Sequence, residues 1–329
     1  MSDGVVFGID VGTTSVAGVA VDAAGRVLAS VTRAHNADIV GLADGVDEQD
    51  PAKLVAAVDA VRDELTVRAG SPSRIGWTGQ MHGVVGVDAQ WRPVTNFVTW
   101  RDARRFGGVV MAQWAKEGRA IHRCLPVCAL AAGVDTIDAT FLHAWYLDLV
   151  QGEVPPSWLP RVEEGVMLGD NQAGVFAAQA LHPGCAVVNL GTSGQLSVVR
   201  ERPFAGPSLP GKAAPDGSRT EFRPYPGGRT LECRASMIGG GAWASLHTEL
   251  GVSWEEMNAA QDVRIQACAR RIADDLFGDV DLTGVSCLVG VGNALIRNPA
   301  LRRAVEARAG MPCVFPSVPE MAAYGAALM

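Results

Sequence analysis

The chain has 329 residues, is 48% hydrophobic and carries a formal net charge of -7. This length and apolar content are enough to bury the cores of two domains. The acidic balance, with no run rich in Lys or Arg, excludes the electrostatic signature of a nucleic-acid-binding protein. No basic and apolar leader opens the chain and no apolar run reaches the roughly 20 residues that span a bilayer, so the sequence predicts a cytoplasmic protein without a membrane partner.

The seven cysteines are scattered along the chain. With no secretory signal, this usage predicts free thiols rather than a disulfide framework. His122, Cys124 and Cys128 lie close together in the sequence, but no second ligand pair at zinc spacing accompanies them. Buried apolar thiols are therefore the preferred interpretation over a metal site.

The N-terminal segment predicts three short β-strands, VVFGID, SVAGVAVD and RVLASVTR, joined by turns at DVGTT and DAAG. This pattern is typical of an antiparallel meander. Asp50 and Pro51 then predict a helix start, with an N-cap followed by proline at the first helical position. The strand RIGWTG follows, so strands and helices mix as in α/β folds.

The segment CAVVNLGTSGQLSVVRERP repeats the opening pattern of strand, short turn and strand. The matched positions are Asp10 with Asn189, Gly12 with Gly191, Thr13 with Thr192, and Thr14 with Ser193. Two copies of one unit predict two related domains, residues 1–183 and 184–329, that face each other with a ligand between the two turns.

The rest of the second half also predicts an α/β pattern. Residues 201–229 are rich in proline and glycine and predict a long surface loop. The later predictions are a helix in MIGGGAWASLHTEL, one long helix from Trp254 to about Phe277, a strand and loop in VSCLVGVGN, a helix with Asn298 as N-cap and Pro299 at its first position, a strand in MPCVF and a terminal helix in EMAAYGAALM.

The two turns predict phosphate binding. Glycine followed by consecutive Thr or Ser offers backbone N–H groups and hydroxyls to an anion. The sequence has no GxxxxGK[ST] loop, and each turn leads into a strand instead of a helix, which excludes a P-loop or a Rossmann phosphate-binding loop at these turns. GVGNAL at Gly290 lacks the third glycine of a dinucleotide-binding fingerprint. The alternative for either turn alone is an ordinary β-hairpin with local Ser/Thr hydrogen bonds.

The turns DVGTTSVAGVAVD and NLGTSG resemble the two phosphate loops of the actin-like ATPase superfamily. GQMHGVVGVD, FVTWRDARR and GDNQAG resemble the sugar-site motifs of the FGGY carbohydrate kinases, and RPYPGGRTLECRASMIGGGAW and GVGNALIRNPALRRAVEARAGMPCVFP continue the series in the family's order. An actin-like or chaperone ATPase would need none of the sugar-site motifs. Within the family, the motifs are most similar to those of kinases acting on sedoheptulose, and next to those acting on xylulose.

The resemblance implies an α/β fold of two actin-like ATPase (ribonuclease H-like) domains with a nucleotide and sugar cleft between them, shortened relative to the family. It implies ATP and Mg²⁺ as cofactors, a small sugar as substrate, and a homodimer as the possible assembly. The shortening falls between Arg105 and Asp170 and between Trp243 and Val285, and it bears on sugar selectivity and domain closure. A non-catalytic sensor that binds sugar or nucleotide without turnover is the alternative from another class.

The resemblance also implies roles on the nucleotide side. Asp10 would hold magnesium, largely through water, since that ion keeps much of its hydration shell. The other residues implied to bind the nucleotide are Thr13, Thr14 and Ser15 for the terminal phosphate, Gly191, Thr192 and Ser193 for the phosphates from the second domain, and Gly240, Gly290, Gly292 and Asn293 where glycine lets a nucleotide approach the backbone. The alternative for the Gly239 to Gly241 run is close helix packing.

Asp170 is the predicted general base, because it follows the apolar run VMLG and would lie at a strand end within reach of a sugar hydroxyl. The alternative for GDNQ is a helix N-cap, and the two roles can coexist. Asn171 and Gln172 would add neutral donors and acceptors. The remaining residues implied on the sugar side are Gln80, Met81, His82, Trp100 and Asp102, with His82 not taken as the base and Trp100 open to a plain core role.

Overall fold

The computed structural model describes residues 4–104, 106–138, 154–163, 167–204, 220–236 and 238–329. The chain forms two compact units, the first made of residues up to Ala177 together with Val318–Met329, the second of Ala178–Ser317. The predicted division at 183/184 placed the whole C-terminal part in one domain. In the structure, the last helix instead packs within the first unit.

Within the described residues the strands are β1 Val5–Val11, β2 Ser15–Val21, β3 Val27–Ala34, β4 Glu48–Gln49, β5 Pro72–Gly79, β6 Val85–Val87, β7 Phe97–Val98, β8 Arg123–Leu125, β9 Thr136–Ile137, β10 Arg161–Val162, β11 Met167–Gly169, β12 Ala186–Leu190, β13 Gly194–Arg200, β14 Thr220–Tyr225, β15 Arg229–Ser236, β16 Leu288–Val291 and β17 Cys313–Val314. The α-helices there are α1 Pro51–Ala69, α2 Phe106–Lys116, α3 Val127–Ala132, α4 Asp170–Leu181, α5 Gly240–Leu250, α6 Trp254–Ala259, α7 Val263–Phe277, α8 Asn293–Arg297, α9 Pro299–Ala309 and α10 Met321–Leu328.

The first unit is built on a sheet with the strand order β11-β5-β1-β2-β3. β1, β2 and β3 pair antiparallel, which confirms the predicted meander. β5 and β11 extend the sheet in parallel with β1. Parallel strands end at the same edge, so the carboxyl ends of β1, β5 and β11 meet there.

Helix α1 covers one face of this sheet. The Asp50 carboxylate accepts a hydrogen bond from the Ala52 N–H at 2.9 Å, and Pro51 takes the first position, as predicted. The buried stripe of the helix is Leu54, Val58, Val61 and Leu65. A Cβ on Gly18 of β2 would lie 2.6 Å from the Val61 side chain, so glycine there lets the helix approach the sheet closely.

Helix α10 packs within the first unit against β1 and β5. A Cβ on Gly8 would lie 1.9 Å from the Ala323 carbonyl oxygen, and one on Gly76 would lie 1.8 Å from the Ala326 oxygen. Glycine in both strands therefore allows backbone-to-backbone contact with the helix.

The second unit repeats the arrangement, with the strand order β14-β15-β13-β12-β16-β17. β12, β13 and β15 are antiparallel neighbours, and β16 and β17 run parallel to β12. The predicted strand-turn-strand repeat is thus confirmed, but the second turn is tighter, because Leu190 pairs with Gly194 whereas Val11 pairs with Val16.

The prediction of a long loop over residues 201–229 is wrong for the last part of that segment, because Thr220–Tyr225 forms β14. This strand pairs antiparallel with β15, and that pairing overrides the local turn composition. Residues 205–219 lie outside the described part of the chain.

The single long helix predicted from Trp254 to Phe277 is also wrong, because two helices occupy the segment. Ser253 and Glu256 form a capping box at the start of α6. Ala260 ends that helix with a left-handed backbone at φ 51°, and the Asp262 carboxylate then caps α7 by accepting from the Arg264 N–H. The sequence signal for this break is Asp262, a second N-cap residue within the run of periodically spaced apolar residues.

All seven cysteines are free, as predicted, and most are buried. Burial raises the pKa of the Cys128 thiol to about 12, which keeps it protonated. Among the described helices, none has both the length and the apolar character that crossing a bilayer requires.

Candidate functional site

The carboxyl edge of the first sheet brings the predicted catalytic residues together. Val11, Gly79 and Gly169, the last residues of β1, β5 and β11, lie side by side in register. Asp10 lies one residue before the end of β1, and Asp170 directly follows β11. The structure therefore places Asp170 at a strand end, as the strand pattern predicted, and it brings Asp10 to the same edge of the sheet.

Asp10 is an acid in an unusual environment. Its Oδ1 atom is buried and has no hydrogen-bond partner among the described residues. Burial raises its pKa to about 8, with smaller contributions from the negative charges of Asp170 and Glu320. A carboxylate placed this way needs a cation or a proton, and near neutral pH a bound cation would take the place of the proton.

The raised pKa of Asp10 predicts a pH-dependent stability of the metal-free protein. The folded chain holds a proton on Asp10 up to about pH 8, whereas the carboxyl of the unfolded chain ionises near its ordinary pKa of 3.8. The contribution of this group to stability is therefore full below about pH 4 and is lost as the pH rises to about 8. Melting curves recorded in EDTA from pH 4 to pH 8 should show this loss of stability. The variant Asp10→Asn should lose less stability over the same range and should be more stable than the wild type at pH 8. An identical pH slope in the variant would contradict the burial of this acid.

Asp170 begins α4 immediately after β11. Its Oδ1 accepts from the Asn171 N–H at 2.7 Å, so the carboxylate pairs with one of the free N–H groups at the helix start. Thr78, buried in β5, donates its hydroxyl to the Leu168 carbonyl at 2.8 Å and ties the strand that carries Asp170 to its neighbour.

Turn 1, residues 12–14 between β1 and β2, is held in place by hydrogen bonds from two buried side-chain amides. Gln80 donates through Nε2 to the Gly12 carbonyl at 3.2 Å. Gln49 donates through Nε2 to the Thr13 carbonyl at 2.8 Å. The Gly12 N–H closes the turn on the Ser15 carbonyl at 3.0 Å, and Thr14 is exposed.

Two residues predicted on the sugar side contact turn 1. Gln80 is only 1% exposed, and its Oε1 accepts from the Thr13 hydroxyl at 3.4 Å. Trp100 is 53% exposed and donates its indole N–H to the Thr13 hydroxyl oxygen at 2.9 Å. Trp100 is thus no core residue, and its outer surface stays open to a ligand while its edge holds the turn.

The other predicted sugar-side residues differ in their surroundings. Met81 is buried, and its Sδ lies 2.5 Å from where a Cβ on Gly169 would be. His82 has a left-handed backbone, with φ 65°, three residues after the end of β5. Strain of this kind in a non-glycine residue is typical of functional turns.

Asp102 forms a structural ion pair. Its Oδ2 lies 2.6 Å from Nη2 of Arg104 and also accepts from the Asp47 N–H at 2.9 Å. Burial alone would raise the pKa of Asp102, but the hydrogen bonds from Arg104 and from the Asp47 backbone outweigh it and lower the pKa. The carboxylate is therefore fully ionised and engaged within the protein.

Two residues of this region were missed by sequence reasoning. Gln49 is fully buried under turn 1, and Glu320 contributes negative charge at Asp10 from the far end of the chain. Gln172, which was predicted to add neutral donors and acceptors, is fully buried, and neither of its amide atoms is hydrogen-bonded within the described chain. The EQDP segment gives a helix-start signal at Asp50, but nothing in it marks the preceding Gln49 as buried.

In the second unit, turn 2, residues 191–193, is supported by the start of α5. The Gly240 N–H donates to the Gly191 carbonyl at 2.8 Å, and the Gly241 N–H to the Thr192 carbonyl at 2.9 Å. A Cβ on Gly240 would lie 2.4 Å from the Gly191 oxygen. These contacts favour the close-packing interpretation of the triple glycine.

A cavity of about 310 Å³ lies beside turn 2 within the second unit. Its lining residues are Asn189, Gly191, Ser193, Gly194, Gln195, Ala235 and Ser236. The side chains of Asn189, Ser193, Gln195 and Ser236 give this lining hydrogen-bonding groups that can pair with the oxygens of a ligand.

Part of the glycine-containing loop that follows β16 lies next to turn 2. Gly292 has φ 89°, and a Cβ there would lie 2.5 Å from the Leu190 carbonyl oxygen. Asn293 follows it and is exposed. Gly290 instead lies inside β16, where a Cβ would lie 2.6 Å from the Cys313 sulfur. The positive φ and the close approach to Leu190 therefore explain glycine at position 292, and Gly290 serves packing within the sheet.

Residues 5–123 match the model of the FGGY family of carbohydrate kinases, N-terminal domain. The chain is 25% identical to sedoheptulokinase from Mus musculus, covering 99% of this chain and 97% of the mouse protein. It is 30% identical to xylulose kinase from Lactococcus lactis subsp. lactis over 30% of this chain and 20% of that protein. The mouse alignment runs over 467 positions, more than the 329 residues of the chain, so internal segments of the mouse protein have no counterpart here.

The fold is shared with solved sugar kinases. The chain resembles a xyloylose kinase from Brucella ovis with a TM-score of 0.80 at 17% identity, covering 98% of this chain and 89% of that one. It also resembles Plasmodium falciparum glycerol kinase with ADP, with a TM-score of 0.74 at 15% identity, covering 98% and 88% of the two chains. The predicted fold class, an α/β chain of two actin-like domains shortened relative to its relatives, is confirmed.

Proposed function

We propose that this chain is a member of the FGGY family of carbohydrate kinases and transfers the terminal phosphate of ATP to the terminal hydroxyl of a ketose, with sedoheptulose as first substrate and xylulose as second. The observation that carries the proposal is the buried Oδ1 of Asp10, which has no hydrogen-bond partner among the described residues and lies at the same sheet edge as Asp170. A phosphoryl-transfer site needs one acid for a metal ion and one for the proton of the nucleophile.

Asp170 acts as the general base. It accepts the proton of the terminal sugar hydroxyl as that oxygen forms its bond to the γ-phosphorus and the bond from phosphorus to the bridging oxygen of ADP breaks. The position of Asp170 after β11 and the fixed helix start hold the carboxylate for this step. Positioning of this kind accounts for most of the rate in phosphoryl transfer.

The residues at Asp10 fit a magnesium ion. A buried carboxylate oxygen without a partner among the described residues is a suitable first ligand. No group of three metal-binding side chains forms within the described residues, so the protein would supply few of the ligands itself. Mg²⁺ commonly takes one or two carboxylates and completes its shell with water and phosphate oxygens. When bound, it would neutralise charge on the transferred phosphoryl group.

The hydroxyls and N–H groups of the two turns bind phosphate oxygens in this proposal. In the first unit these are the hydroxyls of Thr14 and Ser15 and the backbone N–H of Thr13, whose own hydroxyl is engaged by Gln80 and Trp100. In the second unit they belong to Thr192 and Ser193, beside the cavity at turn 2. Gln80, which the resemblance placed on the sugar, is assigned to turn 1 instead, because its amide is already engaged there.

A sensor that binds sugar or nucleotide without turnover is the second candidate. The observation in its favour is the shortened chain, because the missing internal segments bear on sugar selectivity and domain closure. Retention of both Asp10 and Asp170 favours the kinase, since binding alone needs no base.

A ketose and polyol panel separates these candidates. ADP release is measured with each sugar in the presence of MgATP, and binding of the same sugars and of ATP is measured by calorimetry. The kinase predicts sugar-dependent ADP release that is largest with sedoheptulose. Binding of sugar or ATP without any sugar-dependent release would favour the sensor, and xylulose giving the higher kcat/KM would reverse the substrate order.

A further inference from the structure

We propose that Gln49 is a positioning residue for phosphoryl transfer, and that Gln49 and Gln80 together form an amide clamp that orients turn 1. This proposal rests on the proposed kinase function. The clamp lies beneath the turn, in the interior of the first unit, and neither of its residues is exposed by more than 1%.

Gln49 engages both of its amide hydrogens and its carbonyl oxygen in this network. One Nε2 hydrogen is donated to the Thr13 carbonyl at 2.8 Å, and the other to Oδ1 of Asp38 at 2.7 Å. Its Oε1 accepts from Nε2 of Gln80 at 3.2 Å. A fully buried amide with every group paired holds one orientation, because any rotation leaves a polar group unsatisfied.

Gln80, the residue that follows β5, completes the clamp. Its second Nε2 hydrogen goes to the Gly12 carbonyl at 3.2 Å, and its Oε1 accepts from the Thr13 hydroxyl. Its own backbone N–H donates to the Val11 carbonyl at 2.9 Å. Three consecutive carbonyls at the end of β1 are thus fixed by two glutamines.

The orientation of these carbonyls matters for an anion. In a trans peptide the C=O and the next N–H point in opposite directions. With the Gly12 and Thr13 carbonyls bound to the clamp, the N–H groups of Thr13 and Thr14 point away from it. A phosphate on that side meets donors, whereas a turn free to rotate would present carbonyl oxygens that repel it.

The clamp is also tied to the segment that carries Trp100. Asp38 accepts from Nη2 of Arg101 at 3.0 Å, and the indole of Trp100 donates to the Thr13 hydroxyl. A closed ring of contacts therefore runs from Thr13 through Gln49, Asp38 and Arg101 and back through Trp100. The ring connects turn 1 with the loop after β7, on which a sugar-site motif lies.

The variants Gln49→Ala and Gln49→Glu test the role. Alanine removes the clamp, and glutamate keeps its shape but replaces both donors with acceptors that face the Thr13 carbonyl and the Asp38 carboxylate. Because turn 1 contacts the transferred phosphate and not the sugar, both variants should lower kcat by about 10- to 100-fold and leave the KM for the sugar within about twofold.

A matched control separates positioning from plain destabilisation. Val58→Ala removes a fully buried side chain of α1 in the same unit, outside the contacts of turn 1. It should lower the melting temperature without the loss in kcat. Hydrogen exchange provides a readout that does not depend on turnover: the amides of turn 1 should exchange faster in Gln49→Ala than in Val58→Ala.

The outcomes distinguish the two proposals. A wild type without sugar-dependent turnover overturns the proposed kinase function and with it a role of the clamp in catalysis. A wild type that turns over, with Gln49 variants that match Val58→Ala in kcat, overturns the positioning role alone. Unchanged exchange in turn 1 of Gln49→Ala overturns the clamp itself, whatever the activity.

Discussion

Asp170→Asn should lower the rate of sugar phosphorylation by about 10² to 10⁴, the contribution expected of a general base. The reason is that an amide cannot accept the proton of the sugar hydroxyl, while it has nearly the shape of the carboxylate. Asparagine is as good as aspartate at a helix start, so α4 and the melting temperature should change little. The measurement is sugar-dependent ADP release at saturating MgATP and sugar, with calorimetry to show that the sugar still binds.

Asp262→Asn is the matched control for this substitution. Asp262 also begins a helix, where its carboxylate accepts from the Arg264 N–H at 2.7 Å, but it lies in α7 of the second unit outside the proposed machinery. Its activity should equal that of the wild type. If Asp170→Asn retained more than about a tenth of the wild-type rate, the assignment of Asp170 as base would be wrong while the fold and the kinase function could stand.

Gly76→Ala should lower the free energy of unfolding of the first unit by about 3 kcal/mol, at the upper end of the usual cost of overpacking a core. The added Cβ would lie 1.8 Å from the Ala326 carbonyl oxygen, so α10 would have to leave its place against β5. Backbone atoms cannot move aside as a flexible side chain can. Urea unfolding followed by circular dichroism measures the loss.

Gly174→Ala is the control for that stability effect. Gly174 lies in α4, and an added Cβ meets no atom within 4 Å beyond its own helix. Alanine there should raise the free energy of unfolding by about 0.5 to 1 kcal/mol, because glycine is a poor helix residue. Equal effects of the two substitutions would contradict the described packing of α10.

The strands, the turns and several helix starts could be predicted because their signals are local. The period-two strands around turn 1 and turn 2, and the Asp50 and Pro51 pair, are set by residues close in sequence. The strand-end position of Asp170 also followed from the strand pattern, since a buried run ends just before it, whereas the edge it shares with Asp10 comes from the pairing of β11 and β1 with β5.

The parts that sequence reasoning missed depend on contacts between distant segments. Gln49 is buried only because β4 and β7 carry it beneath turn 1, and Glu320 reaches the neighbourhood of Asp10 only because α10 packs on the first sheet. β14 forms in a segment of turn-like composition because β15 pairs with it. Tertiary pairing decides these positions, and no local pattern reports it.

The measurement that tests the kinase most directly is ³¹P NMR of a reaction with sedoheptulose and MgATP. The account predicts a new phosphomonoester resonance, coupled to the protons of the terminal carbon, that grows in step with ADP and is nearly absent with Asp170→Asn. Consumption of ATP at the same rate with and without sugar, with inorganic phosphate as the sole new product, would contradict it.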